Sequence, residues 1–208
     1  MTTSPPTGPS PAAGQGGFEP GVSTVFVDNV FPPPLTAHLN RLAETSATAA
    51  EAGGIVRSDA TTARSEGVRR SEVLWLQDNA DNRPIIDLIG GFVQHANSQV
   101  FRYDLAGFTE PFQLATYKAT DKGHYGWHVD TGAGRLANRK LSLIVPLTDP
   151  SQYEGGEFQV FYDDQPTTLP MPTGRILAFP SYLLHRVTPV TRGVRRSLAI
   201  WVSGPPFR

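Results

Sequence analysis

The sequence predicts an α+β domain: an antiparallel β sandwich or barrel preceded by two helices that pack on one outer face. Three observations predict it. From about Phe112 onward, short β-type runs alternate with Gly, Pro, Asp and Asn punctuation. Ahead of them lie two segments with apolar residues at helical spacing. The chain of 208 residues suits one domain with a proper core and is too short for two comfortable ones.

Residues 1–20 are Pro, Gly, Ser and Thr with almost nothing apolar, and are expected to form a disordered tail ahead of a domain at 21–208. Thr24-Val25-Phe26-Val27 reads as a short strand. After Pro32-Pro33-Pro34, residues 35–50 carry Leu35, Leu39, Leu42 and Ala43 on one helical face. Glu51 to Glu66 is polar and contains glycine, and is expected to be a mobile loop. Glu72-Val73-Leu74-Trp75-Leu76 reads as a strand. Pro84 then opens a second helix with the stripe Ile85, Ile86, Ile89, Phe92, Val93 and Ala96. The strands expected beyond it are 113–117, 125–129, 140–147, 157–162, 175–179, 185–190 and 195–202. No internal repeat is present.

Composition narrows the function. Eighteen Lys and Arg against nineteen Asp and Glu give a net charge of −1, so no global basic field draws the chain to nucleic acid or anionic lipid. The absence of cysteine excludes disulfides and thiolate metal sites. No apolar run approaches a membrane span, and no charged head precedes an apolar segment at the N-terminus. A cytoplasmic location is the natural expectation.

His128-Val129-Asp130 is the motif that carries chemistry. Two residues apart on an extended strand, His128 and Asp130 point to one face. A third ligand from another strand completes two imidazoles and a carboxylate, the set that leaves positions open in non-heme Fe(II) oxygenases. His185 enters a new strand after the turn Pro172-Thr173-Gly174 and the run Arg175 to Phe179, which suits it to reach the same rim. An HxD alone occurs easily by chance; its place at a strand end before Thr131-Gly132-Ala133-Gly134 gives it weight. His38 and His95 read as helix-surface residues. His124 sits near the site, either facing substrate or solvated.

The last strand supplies a second element. Alternation puts Arg195, Ser197, Ala199 and Trp201 on one face and Arg196, Leu198, Ile200 and Val202 on the other. An inward arginine is costly without an anion, and a guanidinium with a serine hydroxyl two residues on suits a buried carboxylate.

From about Gln113 to the C-terminus the chain resembles the Fe(II)/2-oxoglutarate dioxygenases of the prolyl 4-hydroxylase-like group, above all PKHD-type hydroxylases. The likeness rests on Tyr125-Gly126-Trp127-His128-Val129-Asp130, Tyr153-Glu154-Gly155-Gly156-Glu157-Phe158, Pro172 to Pro180 and His185 to Arg195. More loosely, Arg70-Ser71 is similar to the substrate-side strand of prolyl hydroxylases. The resemblance implies a double-stranded β-helix, or jelly-roll, core. It implies Fe(II) on His128, Asp130 and His185, and the far carboxylate of 2-oxoglutarate on Arg195, with Tyr117 and Ser197 beside it. It implies that O2 converts the cosubstrate to succinate and CO2 while an unactivated C–H is hydroxylated, with ascorbate in support. Halogenases of this group lack the carboxylate, so Asp130 favours hydroxylation.

The substrate is expected to be a prolyl or other side chain of a protein or peptide. A free amino acid or small natural product is the alternative, and a non-catalytic metal-binding jelly-roll the second. Residues 51–70 are the expected lid. Arg186, Arg192 and Arg196 either hold an acidic substrate group or form a solvated basic rim, and Trp127, alternating away from the ligands, is expected in the core. Oligomeric state is not legible.

Overall fold

The computed structural model describes residues 17–18, 24–46, 51–53, 55–56, 62–63, 67–162 and 164–207. In chain order the strands are β1 (Gly17–Phe18), β2 (Val25–Val27), β3 (Glu51–Ala52), β4 (Ile55–Val56), β5 (Thr62–Ala63), β6 (Arg69–Arg70), β7 (Glu72–Leu76), β8 (Phe112–Lys118) and β9 (His124–His128). They continue with β10 (Arg139–Pro146), β11 (Glu154–Gly155), β12 (Phe158–Phe161), β13 (Pro166–Leu169), β14 (Ile176–Pro180), β15 (His185–Val187), β16 (Val190–Arg192) and β17 (Val194–Ser203). Helix α1 is Pro33–Thr45 and α2 is Arg83–Ala96.

Two antiparallel sheets make the jelly-roll. The larger runs β1-β2-β14-β10-β17-β8-β7-β3, and the smaller β13-β12-β15-β9-β6. Between them pack Ala115 and Tyr117 of β8, Leu177 and Phe179 of β14, Phe158 and Val160 of β12, and Val187 of β15. The outer face of the larger sheet carries the helices. Leu39 of α1 and Ile85, Ile89, Val93 and Ala96 of α2 bury against Leu114, Leu141, Leu143, Val145, Leu198, Ile200 and Val202. Period-2 alternation thus serves two compartments, apolar side chains to the helices and a mixed set to the sandwich interior.

Both helices open on proline in the first turn, where a missing N–H costs nothing. The first ends at Thr45, short of the expected residue 50: Ser46 closes it by donating its N–H to Leu42 O, and residues 47–50 lie outside the described set. The second continues into a wide turn over Asn97–Phe101 and stops at Arg102, which takes a left-handed φ of 54°.

The strand expected over 185–190 is two strands. Pro189 cannot donate to a ladder, so the chain breaks there, and β16 pairs instead with β11. Of the expected tail, only Gly17–Phe18 is described, paired with β2. The expected lid at 51–70 is described only in part, as β3, the β4–β5 pair and β6. Among the described residues, no helix is long and apolar enough to cross a membrane.

Candidate metal centre

Neighbouring strands β9 and β15 bring His128 directly opposite His185, and their rings lie 4.1 Å apart. Asp130, just past the end of β9, donates its backbone N–H to Ser181 O and accepts from Arg139 Nη1 at its carbonyl. His128 Nε2 is 3.7 Å from Asp130 Oδ1, and His185 Nε2 is 3.6 Å from Asp130 Oδ2. The three ligand atoms lie within 4.8 Å of one another. Two metal–ligand bonds of about 2.1 Å span roughly 4 Å, so one ion meets all three after a small adjustment.

The proton positions fit a metal. His128 Nδ1 donates to Gly126 O and His185 Nδ1 to Leu183 O, both at 2.8 Å. A carbonyl oxygen only accepts, so each Nδ1 carries the hydrogen and each Nε2 presents a lone pair to the centre. Burial, reinforced by His185, pushes the His128 imidazole down to about 3, keeping it unprotonated. Burial alone would raise the Asp130 carboxyl. His185, His128, Arg139 and the Ser142 hydroxyl outweigh it and hold the group below its ordinary value, as a carboxylate.

A cavity joins the triad to Arg195, Ser197 and Tyr117. Arg195 is 3% exposed and sits opposite Tyr117 across the β8–β17 ladder, its guanidinium 5.3 Å from the tyrosine ring centre. Its Nη1 donates to Ser197 Oγ at 3.1 Å. Among the described residues no carboxylate pairs with it. A buried, uncompensated cation fits an anionic ligand. The residues present therefore suit both a ferrous ion and a dicarboxylate.

Tyr125 belongs to this cavity too, against the alternation rule. On β9, Tyr125 and His128 are three residues apart, whereas their partners Val187 and His185 on β15 are two apart. The extra residue is a β-bulge, and it turns Tyr125 to the His128 side. Their rings stack at 3.5 Å and 12°. Burial raises the Tyr125 hydroxyl to about 12. Above it lies Arg69 of β6, 4.6 Å from the ring centre, which donates to Gln113 Oε1 and Ser71 Oγ. Trp201 completes the wall, with Arg139 at 3.7 Å over its ring and Glu110 gripping Arg139 through both oxygens.

Several expected placements are corrected. Arg186 lies on the outer face of the smaller sheet, over Trp127 and donating to Gln159. Arg192 pairs with Glu154, and Arg196 with Glu44 and Asn40 of α1. None lines the cavity. Trp127 does turn away from the ligands, but it packs against Phe161 and Arg186 on that outer face and is half-buried, because among the described residues no layer covers the smaller sheet there. Of the two arginines of β6, Arg69 lines the cavity and Arg70 does not; Arg70 donates to Asp121 O. His124 bonds Lys122 O outside the cavity, and His38 is half-buried against Asn82.

Comparison with known proteins agrees with this geometry. Residues 112–203, which hold the triad and Arg195, match the family described as the 2OG-Fe(II) oxygenase superfamily. Among curated relatives, the chain is 41% identical over 80 residues to a PKHD-type hydroxylase of Synechococcus sp. CC9902, covering 38% of this chain and 35% of that one. It is 28% identical over 145 residues to a PKHD-type hydroxylase of Bordetella pertussis, covering 65% and 63%. The chain thus spans less than two thirds of the length of these relatives. In fold, a prolyl-4-hydroxylase from Pseudomonas putida superposes with a TM-score of 0.70 at 18% identity, over 88% of this chain and 94% of that one. A Trichoplax adhaerens prolyl hydroxylase, solved with a peptide fragment of a hypoxia-inducible factor, gives 0.69 at 14% identity, over 86% and 83%.

Proposed function

We propose that this protein is an Fe(II)- and 2-oxoglutarate-dependent hydroxylase acting on a prolyl or other side chain of a protein or peptide. The observation that carries the reading is a single cavity holding two imidazole lone pairs, one carboxylate and an uncompensated buried guanidinium. His128, Asp130 and His185 would hold the iron. Bound there, the metal supplies the coupling of O2 reduction and cosubstrate decarboxylation, to succinate and CO2, to hydroxylation of a C–H.

The chain's own part is positioning. The Nδ1 bonds to Gly126 O and Leu183 O lock each imidazole plane and tautomer. Arg195, with the Ser197 hydroxyl and the Tyr117 ring, forms the seat for the cosubstrate's far carboxylate, to which a guanidinium can donate twice. Tyr125, Trp201 and Arg69 wall the opposite side, where a substrate side chain would enter. The peptide in the Trichoplax neighbour supports a peptidyl substrate.

The test is a screen of peptides and free amino acids for substrate-stimulated succinate release with Fe(II) and 2-oxoglutarate, run on the parent and on Arg195→Ala. Stimulation by a peptide, lost in the variant, supports the reading. Stimulation only by a free amino acid overturns the peptidyl assignment. No cosubstrate dependence at all points to a metal-binding jelly-roll without turnover.

A further inference from the structure

On β10 a serine interrupts an apolar run, Leu141-Ser142-Leu143, and is 1% exposed. A buried hydroxyl needs a partner. Ser142 Oγ lies 2.6 Å from Asp130 Oδ2 and 3.0 Å from Ser181 Oγ, itself fully buried. The protons can be counted. A carboxylate only accepts, so the single Ser142 hydrogen goes to Asp130, and Ser181 must donate to Ser142. The backbone of Ser181 holds the same corner: its carbonyl accepts from the N–H groups of Asp130 and Thr131, and its own N–H donates to Lys140 O.

We propose that Ser142 and Ser181 are positioning residues that fix the rotation of the Asp130 carboxylate, committing Oδ2 to the protein and leaving Oδ1 to meet the metal. This rests on the proposed role of the triad. A ligating carboxylate that is free to rotate must be ordered when metal binds, whereas one already fixed by a hydrogen bond meets the ion without that cost. Among the described residues, the other hydrogen bonds of Asp130 run to its backbone and do not reach its carboxylate.

The test is an anaerobic titration with Mn(II), a redox-quiet probe, followed by electron paramagnetic resonance of the free ion. The proteins are the parent, Ser142→Ala, Ser142→Val, Ser142→Thr, Ser181→Ala and Asp130→Ala. Thermal midpoints are measured with and without metal. Ser142→Ala is expected to bind about 10–100-fold more weakly, with its metal-free midpoint close to the parent's. Ser142→Val, which fills the vacated volume, shows the same loss, and Ser142→Thr, which keeps the hydroxyl, recovers most of it. Ser181→Ala, acting through Ser142, shows a smaller loss. Parent-like affinity in Ser142→Ala and Ser142→Val overturns the positioning role alone. A parent that fails to bind Mn(II), or an Asp130→Ala variant that binds as the parent does, overturns the triad reading and this proposal with it.

Discussion

Tyr125 and His128 stand three residues apart on one strand yet face the same cavity with their rings stacked at 3.5 Å. The bulge in β9 makes this possible, and the His128 imidazole packs against both the Tyr125 ring and His185. Stacked aromatic pairs contribute about 0.5–1.5 kcal/mol. Tyr125→Phe keeps the stack and should leave metal affinity within about twofold, whereas Tyr125→Ala should weaken it by roughly 2–10-fold. An anaerobic Fe(II) titration measures both.

His128→Ala, Asp130→Ala and His185→Ala should each abolish 2-oxoglutarate consumption and leave the circular dichroism spectrum unchanged. These side chains line a cavity; His185 also packs on Phe158 and Phe179, so His185→Ala alone should lower the thermal midpoint as well. Retained consumption in any variant would remove that residue from the ligand set.

Arg195 should report in two directions. With its carboxylate lost, Arg195→Ala should raise the KM for 2-oxoglutarate by about 10²-fold, in line with about 2–4 kcal/mol for truncating a buried charged partner. Arg195→Lys should recover only part, because an ammonium lacks the two-pronged geometry. Without ligand the sign reverses. Arg195→Met removes a buried cation that has no counter-ion among the described residues and should raise the thermal midpoint.

Gly156 adjoins that arginine. At φ 60°, a Cβ there would lie 2.8 Å from Arg195 Cδ and 2.9 Å from Val190 Cγ2. Gly156→Ala should therefore displace the Arg195 stem, raising the KM for 2-oxoglutarate several-fold, and should cost about 1–3 kcal/mol of stability. Steady-state kinetics and a denaturant melt separate the two effects.

Arg175 grips Asp28 through both carboxylate oxygens at 2.6 and 2.9 Å, tying the residue after β2 to the start of β14. That hydrogen-bonded guanidinium holds the Asp28 carboxyl below its usual value. A carboxylate lowered in the folded state contributes stability above its unfolded pKa of about 3.9, lost as pH falls through the folded value. Asp28 is 40% exposed, so solvent reduces the gain to about 1 kcal/mol. Asp28→Asn should lower the midpoint at pH 7 by about 2–4 °C and show a shallower loss below pH 4. Melts between pH 7 and pH 2.5 check both.

The convergence of His128, Asp130 and His185 is legible in sequence, because HxD fixes two ligands on one local segment and a single later histidine opens a strand. The inward face of β17 is legible too, since Leu198, Ile200 and Val202 must go to the apolar layer and Arg195, Ser197 and Trp201 to the other side. Tyr125 was not legible: a bulge is set by pairing with β15, and strict alternation sends the residue outward. Arg186 follows His185 and so faces away from it, which alternation could have shown. Arg69 reaches the cavity only through pairing of β6 with β9, a contact between segments far apart in sequence. Ser142 did leave a signal, a hydroxyl inside an otherwise apolar strand. β13 left none: Pro166-Thr167-Thr168-Leu169 is an exposed edge with no apolar period.

The two-compartment geometry of β17 has a consequence for folding. Sliding that strand by one residue would turn Leu198 toward the ligands and Arg195 toward the helices, so chemistry and hydrophobic cohesion would fail at the same step. A misaligned chain therefore has no partly competent form to linger in, and activity regained on refolding should track helix docking in time.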